Sequence, residues 1–318
     1  MAYTPAQIQQ VSEKFPFSVS EERSLLESGQ ALLDISDRSI LRMDGSDTID
    51  FFHRISTNDF RDFIPGSAKQ TVILTEKGRV IDCLIVVHAK NYYLVITGNG
   101  AKEKDKEWLE KFIIAEDIQI SETSDTMLFA RFNIPSKQEP MWEKGELKSF
   151  QADYFGCMTR FYFLSKTNPL FLSDDSSEYK QIGQAAFERF RVSRGIPSYN
   201  HEMTREFNPF EINLKRQISF EKGCYIGQEV IARLDTYKKT QRFLCLVAIV
   251  GNISDNTPSR LLKDGMEVGI LTSLAPRQGD AEPCLGLAVV KRDLAAENNN
   301  FAIENTSAHA VIEKTFQT

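Results

Sequence analysis

The sequence predicts an α+β protein of two structural units, in which antiparallel sheets with packing helices precede a smaller domain of short strands. Its 318 residues are too many for one ordinary core and too few for three independent domains. Runs of β-branched residues mixed with amphipathic segments occupy residues 1–240. Residues 241–318 form short runs punctuated by Gly and Pro without helical periodicity, which is typical of a small barrel or sandwich. We therefore place the domain boundary at residue 240.

The first unit opens with a strand, a helix and a meander. A strand is predicted over residues 31–41, and a helix over 47–55 because apolar residues recur there at helical spacing. Three runs rich in β-branched residues lie between residues 70 and 97, separated by short polar turns. Runs joined in this way predict an antiparallel meander.

Two more helices and further strands complete the first unit. Trp108 and Leu109 lie on the apolar face of a helical segment otherwise built of Lys and Glu. Apolar and polar residues alternate between residues 127 and 165, which predicts more strands. Another helix is predicted over residues 178–191, and Gly195 ends it.

Charge and hydropathy exclude several classes of protein. The net charge of −6 argues against duplex nucleic acid as the main partner, because neutralising phosphates requires a basic face. No basic region followed by an apolar one opens the sequence, so no secretory signal is visible. The longest apolar runs fall far short of the roughly 20 residues that a membrane helix needs. We expect a cytoplasmic protein that binds neither membranes nor nucleic acid directly.

The cysteines and histidines do not form a metal motif. Five cysteines are scattered along the chain without a Cys-x-x-Cys pair, and four histidines are far apart. We expect reduced thiols and no metal site. Four of the cysteines lie in or beside apolar runs, where a buried, inert thiol is the better interpretation. They are Cys83, Cys157, Cys245 and Cys284.

The fifth cysteine, Cys224, lies in the most unusual segment of the chain, K-G-C-Y-I-G-Q-E at residues 222–229. Glycines at 223 and 227 permit tight turns and the close approach of a ligand. Lys222 would favour thiolate over thiol, and a helix starting at Gly227 or Gln228 would add its positive end. A Gly-rich turn with a bystander cysteine explains the pattern equally well.

Together with the basic residues at 238–242, this segment resembles the K-G-C-Y-x-G-Q-E-x-x-A-R signature of the YgfZ-type proteins. These belong to the glycine-cleavage T-protein superfamily (GcvT, aminomethyltransferase), which includes the folate domains of sarcosine and dimethylglycine dehydrogenases. Further matches extend the resemblance from about residue 30 to about residue 315. They lie at residues 33–39, 45–52, 56–59, 76–82, 265–273 and 285–290.

The resemblance implies a folate-binding N-terminal disc with a central hole, which takes the pterin of tetrahydrofolate, and a small C-terminal β-barrel. Phe187 would stack on the pterin, with plain core packing as the alternative. Arg191 would pair with an anionic or carbonyl group, with a surface ion pair as the alternative. The matched motifs add Arg38, Tyr225 and Gln228 to the expected cofactor-binding residues.

The resemblance also implies that Asp82 is a catalytic carboxylate near the folate nitrogen that accepts a one-carbon unit. The sequence departs from the family at three positions. Cys83 replaces the second aspartate of an Asp-Asp pair, and Tyr237 replaces a glycine. Ser193 replaces a glutamate that recognises the pterin, for which a water or Glu202 is a possible substitute.

The leading hypothesis is a tetrahydrofolate-binding auxiliary protein that supports the assembly or repair of iron-sulfur enzymes, including those that modify tRNA. Cys224, tuned by Lys222, is then the reactive thiol, and any cluster is shared with a partner because clusters usually take four thiolates. The alternative is a folate-dependent aminomethyltransferase with Asp82 as the key carboxylate. A third possibility is a docking protein that has kept the fold and lost the ligand.

Overall fold

The computed structural model describes residues 17–123, 126–134, 137–165, 179–253, 257–277 and 284–317. These residues form two open sheets, one closed barrel and five α-helices, which confirms the predicted α+β class. The elements, in chain order, are α1 (Val19–Glu27), β1 (Ala31–Asp34), β2 (Arg38–Asp44), α2 (Thr48–Ile55), β3 (Ala68–Leu74), β4 (Val80–Ala89), β5 (Tyr92–Asn99), α3 (Lys102–Glu110), β6 (Gln119–Glu122), β7 (Thr126–Arg131), β8 (Met141–Glu143), β9 (Glu146–Tyr154), β10 (Cys157–Ser165), β11 (Lys180–Ile182), α4 (Gln184–Arg194), α5 (Gln228–Tyr237), β12 (Arg242–Val250), β13 (Ser259–Lys263), β14 (Met266–Leu274), β15 (Cys284–Lys291), β16 (Asn300–Ile303) and β17 (His309–Phe316).

The predicted meander is the centre of a five-stranded sheet with the order β3-β4-β5-β2-β6. β3, β4 and β5 pair antiparallel in sequence, as the pattern predicts. β4 is buried along its whole length because both faces of the sheet are covered. The predicted helix at 47–55 is confirmed as α2, which buries Phe51 and Phe52. α3 contributes Leu109 to the same hydrophobic cluster.

The single strand predicted over residues 31–41 is wrong, because the chain forms two strands that belong to different sheets. β1 pairs with β7, whereas β2 pairs with β5 and β6. Between them the Asp34 carboxylate accepts the N–H of Ser36 at 2.9 Å. This side-chain-to-backbone bond closes a turn that the hydrophobic pattern alone does not reveal.

The second sheet has six strands in the order β11-β1-β7-β10-β9-β8. The helix predicted over 178–191 begins later than expected, because Lys180–Ile182 forms β11 and pairs parallel with β1. Gly183 is extended and separates this strand from α4. The predicted helix end is confirmed, since Gly195 adopts the left-handed conformation with φ 65°.

The third sheet closes into a six-stranded barrel with the order β12-β15-β14-β13-β16-β17. The predicted C-terminal barrel is therefore confirmed, and its first strand begins at Arg242. The barrel packs against the end of α4, where an added Cβ at Gly195 would lie 2.6 Å from the Phe316 ring. Only glycine leaves room for that ring.

None of the helices in the described residues combines the length and the apolarity that crossing a bilayer requires.

Candidate functional site

The carboxylate of Asp82 is fully buried near the start of β4. One oxygen accepts the N–H of Cys83 at 2.8 Å, and the other accepts the N–H of Gly98 at 2.6 Å. Burial raises the pKa of Asp82, while these two donors favour its charged form. The fold therefore holds this carboxylate in one orientation from two neighbouring strands.

A second carboxyl group, that of Asp105 in α3, lies close enough to Asp82 for the Asp82 charge to act on it, and neither of its oxygens accepts a hydrogen bond from the described residues. Asp105 is also fully buried, and burial followed by the adjacent Asp82 charge raises its pKa far above the ordinary range. Sequence reasoning missed this residue because α3 looks like a solvated, charged helix. Its position four residues before Leu109, on the buried face, is the available signal.

The space beside Asp82 is closed by a glycine and a tyrosine. A Cβ added to Gly98 would lie 2.6 Å from the Cβ of Tyr199 and 2.9 Å from an Asp82 oxygen, so no larger residue fits there. Tyr199 is nearly buried, and burial followed by the charges of Asp105 and Asp82 raises its pKa. Its position next to the carboxyl pair was not expected from the sequence.

Arg38, an expected cofactor-binding residue, extends the same site from the start of β2. Its guanidinium donates to the hydroxyl of Tyr154 at 2.5 Å. Its positive charge also favours the ionised form of Asp82. Tyr154 is buried, and burial raises its pKa although Arg38 favours the phenolate. Asp82, Asp105, Arg38, Tyr154 and Tyr199 form what we call the Asp82 site.

Cys83 replaces the second family aspartate, and it points to the opposite face of β4 from Asp82. Its thiol is buried in the hydrophobic cluster that faces the barrel. Burial, followed by the neighbouring Asp82 charge, raises the pKa of this thiol well above the usual value. A neutral thiol therefore stands where the family carries a charge.

Phe187 lies in the hydrophobic core of the second sheet and is nearly buried. Its ring is stacked on Phe132, with ring centroids 5.1 Å apart and an angle of 25° between the planes. Phe132 in turn lies 5.7 Å from the Tyr154 ring. The structure thus places Phe187 behind the Asp82 site, with Phe132 between it and Tyr154.

Arg191 is buried in an ion pair with Glu202, and not on the surface. Its guanidinium donates to Glu188 at 2.6 Å and to the Ser273 hydroxyl at 2.9 Å. Glu202 also accepts from the hydroxyls of Thr272 and Ser273, at 2.5 and 2.6 Å. These bonds connect α4 with barrel strand β14, so both side chains are engaged by protein partners.

Ser193, where the resemblance implies a glutamate that recognises the pterin, is exposed near the end of α4. Its hydroxyl donates to the Phe190 carbonyl at 2.8 Å. Glu202, its possible substitute, is fully occupied by the bonds to Arg191 and to the barrel hydroxyls.

Lys222 is buried, and its ammonium donates to three backbone carbonyls at the end of α2. The acceptors are His53, Ser56 at 2.6 Å and Asn58 at 2.9 Å. Burial lowers the pKa of Lys222 to about 8. A cation at a helix C-terminus is well placed to satisfy carbonyls that have no partner within the helix. Lys222 therefore anchors its segment to the first sheet.

Cys224 alone among the five cysteines is exposed. Next to it, a Cβ added to Gly223 would find no atom within 4 Å, so the backbone is open to solvent. Tyr225 is buried, and burial raises its pKa to about 12. Residues 222–227, which we call the Cys224 loop, thus present one thiol between two buried side chains, Lys222 and Tyr225.

The Cys224 loop ends against the β3–β4 turn. Gly227 has φ 80°, and a Cβ there would lie 2.7 Å from the Thr75 carbonyl oxygen. α5 begins at the next residue, Gln228, as predicted, and the Gln228 N–H donates to the Tyr225 carbonyl at 3.2 Å. The loop therefore touches the hairpin whose second strand carries Asp82. Phe187 and Arg191 lie apart from the loop, on α4.

Two buried glutamines, Gln70 and Gln217, contact each other next to the backbone that follows Tyr154. The Gln70 side-chain oxygen accepts from Gln217 at 3.2 Å and from the N–H of Phe155, which follows Tyr154, at 3.0 Å. Both glutamines are buried, yet the Gln70 amide nitrogen and the Gln217 amide oxygen have no hydrogen-bond partner among the described residues. They provide one free donor and one free acceptor.

No three side chains of His, Cys, Asp or Glu are grouped to hold a metal ion in the part of the chain that the structure describes.

Comparisons with known proteins agree with this architecture. Residues 3–135 match the model of the GCVT N-terminal domain. A chloroplastic protein of Arabidopsis thaliana that carries the name "Putative transferase" is 27% identical, over 89% of this chain and 70% of that protein. An aminomethyltransferase of Thermotoga neapolitana is 25% identical, over 94% of this chain and 89% of that protein.

Among solved structures, the glycine cleavage system aminomethyltransferase T of Bartonella henselae superposes with a TM-score of 0.76 at 17% identity. The superposition covers 93% of this chain and 88% of that one, and it shows that the two share a fold. Taken together, the family model and the relatives support the GcvT superfamily for this chain.

Proposed function

We propose that this chain is a cytoplasmic, YgfZ-type protein that binds tetrahydrofolate and supports iron-sulfur enzymes through the Cys224 thiol. The carrying observation is that the fold buries a carboxyl pair, Asp82 and Asp105, beside Arg38 and Tyr154. Paired titratable groups with shifted pKa values concentrate at functional sites. The similarity to aminomethyltransferases adds a folate to this expectation.

The residues present fit a pterin. A pterin is flat and carries both hydrogen-bond donors and acceptors along its edge, and the buried amides of Gln70 and Gln217 offer one of each without a partner in the described chain. Such unpaired buried groups are costly, so a ligand that pairs them gains affinity.

Bound tetrahydrofolate would supply amines that accept a one-carbon unit. The chain's own contribution would be to orient those amines and to balance their charge. Asp82 provides a fixed negative charge, and Arg38 with Tyr154 provides donors beside it. Preorganised groups of this kind stabilise charge without reorganising during the reaction.

Cys224 supports the auxiliary part of the proposal because it is an exposed thiol on a loop anchored at both ends. One thiolate does not complete a cluster site, since clusters usually take four. A protein partner or the folate would therefore share any cluster or sulfur species with Cys224. The proposed partner, whose activity would depend on this thiol, is an iron-sulfur enzyme that thiolates tRNA.

Substitution of Cys224 tests this function. We expect Cys224→Ala to bind tetrahydrofolate as tightly as the wild type, yet to lose support of an iron-sulfur tRNA-thiolating enzyme in cells that lack the native protein. Gly223→Ala is the matched control, because its added methyl group points into open space. Full support by Cys224→Ala would refute the role of the thiol, and absence of tetrahydrofolate binding by the wild type would refute the folate role.

A folate-dependent aminomethyltransferase is the second candidate. It is favoured by the similarity to such an enzyme over 94% of this chain and by the retained Asp82. The test is release of ammonia from an aminomethyl-loaded lipoyl carrier with transfer of the carbon to tetrahydrofolate, which leaves the carrier as a free dithiol. This candidate requires turnover by the wild type that Asp82→Asn abolishes, and it is excluded if the wild type gives none.

A further inference from the structure

Asp105 is an acid that the fold buries at a cost. Its side chain has no exposed surface, and neither carboxyl oxygen accepts a hydrogen bond from another group of the described residues. Burying a polar group without donors destabilises a protein. Leu109, one turn further along α3, shows that this helix face accepts an apolar residue. An acid at position 105 therefore requires a reason other than packing.

The geometry assigns the proton of the pair to Asp105. Two buried carboxyl groups in contact do not both ionise, because the like charges repel in a medium of low polarity. Asp82 accepts two backbone N–H groups, at 2.8 and 2.6 Å, which favour a charge on Asp82. Asp105 lacks such donors, and neither of its oxygens has another partner among the described residues, so the proton belongs on Asp105. The Asp105 hydroxyl therefore donates to the Asp82 carboxylate, in a strong charge-assisted hydrogen bond.

The shared proton sets the charge of the whole site. With one proton, the pair carries a single negative charge, which balances the guanidinium of Arg38. Without it, the site would carry an excess negative charge in the interior. Other groups are coupled to the pair by charge. They are Cys83, which follows Asp82 but points to the other face of β4, Lys104 on α3, Tyr199 with Arg205 on the loop after α4, and Asp37 and Tyr154 beside Arg38.

We propose that Asp105 is a positioning residue of the Asp82 site, which holds one proton against Asp82 and so keeps that carboxylate ionised and fixed while a reduced folate binds. Resting on the folate-binding function proposed above, the assignment deepens it by naming the group that controls the charge of Asp82. Asp105 acts through Asp82 and does not itself touch the ligand.

The test is the pH dependence of tetrahydrofolate binding by the full chain, from about pH 5 to about pH 9. Asp105→Asn replaces the O–H donor with a weaker N–H donor of the same shape. Asp82 then becomes harder to ionise, and the acid limb of binding moves to higher pH by about one unit. Asp105→Leu removes the donor and moves the limb further. Glu107→Gln, an exposed acid on the same helix, is the control and leaves the limb unchanged.

The outcomes separate this inference from the function on which it rests. The inference is overturned if both Asp105 variants fold and keep the wild-type pH profile, or if they weaken binding equally at every pH, which is the signature of a purely structural role. Circular dichroism and thermal unfolding identify a variant that does not fold. If Asp105→Leu does not fold, the pH profile of the isosteric Asp105→Asn variant alone tests the inference. If the wild type and Glu107→Gln both fail to bind at every pH, the folate function itself fails, and the inference falls with it.

Discussion

At the scale of single residues, the candidate site consists of charged groups that the interior would normally exclude. Asp82 and Asp105 share one proton, and Lys222 donates to three carbonyls while burial lowers its pKa to about 8. Each of these groups is held by partners from a different element. Removing one partner therefore lowers or raises the free energy of unfolding by an amount that depends on pH.

Asp105→Asn should stabilise the protein at neutral pH. The folded-state pKa of Asp105 is raised above its unfolded value, so its contribution to stability is fully present below the unfolded pKa of about 4 and is lost as the pH rises through the neutral range. Asparagine carries no such penalty. We expect a gain of about 2 kcal/mol at pH 7, larger at pH 9 and absent near pH 4.

Urea unfolding at these three pH values measures the gain, with Glu107→Gln as the surface control. An Asn variant that is no more stable than wild type at pH 9 would contradict a raised pKa for Asp105. A gain in stability combined with the altered binding profile would mean that the wild type gives up stability for function, as functional sites often do.

At the scale of elements, the sequence predicts what is local and periodic. The buried runs of β3 to β5, the helix at 48–55 and the start of α5 at Gln228 were all predictable, because each depends on neighbours within a few residues. β11 was not, since Lys180–Ile182 is extended only by pairing with β1, about 150 residues away. In this segment the tertiary contact with β1 therefore overrides the helical pattern of the sequence.

The site was predictable only in part, for the same reason. The motifs indicate Arg38 and Lys222, but the partners of both lie far away in sequence. Tyr154 is 116 residues from Arg38, and the carbonyls bound by Lys222 are 164 to 169 residues before it. The buried Asp105 was also missed, because Lys and Glu surround it in the sequence and give the helix a charged composition.

Gly227→Ala should loosen the Cys224 loop at the start of α5. The left-handed conformation at φ 80° disfavours alanine by roughly 1 kcal/mol, and the new methyl group would lie 2.7 Å from the Thr75 carbonyl oxygen. We expect a loss of about 2 to 4 kcal/mol and faster reaction of the Cys224 thiol with an alkylating reagent. Gly223→Ala, which meets no neighbour, should change neither value. Equal alkylation rates in both variants would show that the turn does not hold the loop.

At the scale of the whole molecule, two barrel hydroxyls bond a buried ion pair of the first unit. Arg191 on α4 and Glu202 meet the hydroxyls of Thr272 and Ser273 on β14. Breaking a buried pair leaves a charge without compensation, which costs more than the pair contributes when intact. We therefore expect the two units to unfold together.

Glu202→Gln should separate the two units. Arg191 would keep Glu188 but lose its deeper anionic partner, and we expect a loss of about 3 kcal/mol. Calorimetry should show one transition for the wild type and two for the variant. Glu229→Gln, which removes an exposed ion pair with Arg233 on α5, should leave a single transition and nearly unchanged stability. One unaltered transition in Glu202→Gln would assign the coupling to other contacts.

The ring of Phe316 over Gly195 also has a consequence for biosynthesis. β17, which ends at Phe316, closes the barrel against β12 and is made by the ribosome after the other strands that the structure describes. Until it emerges, the end of α4 lacks its cover and β12 has an unpaired edge, while the preceding sheets are already free to fold. The nascent chain therefore passes through a period in which a chaperone that shields β12 would prevent intermolecular strand pairing.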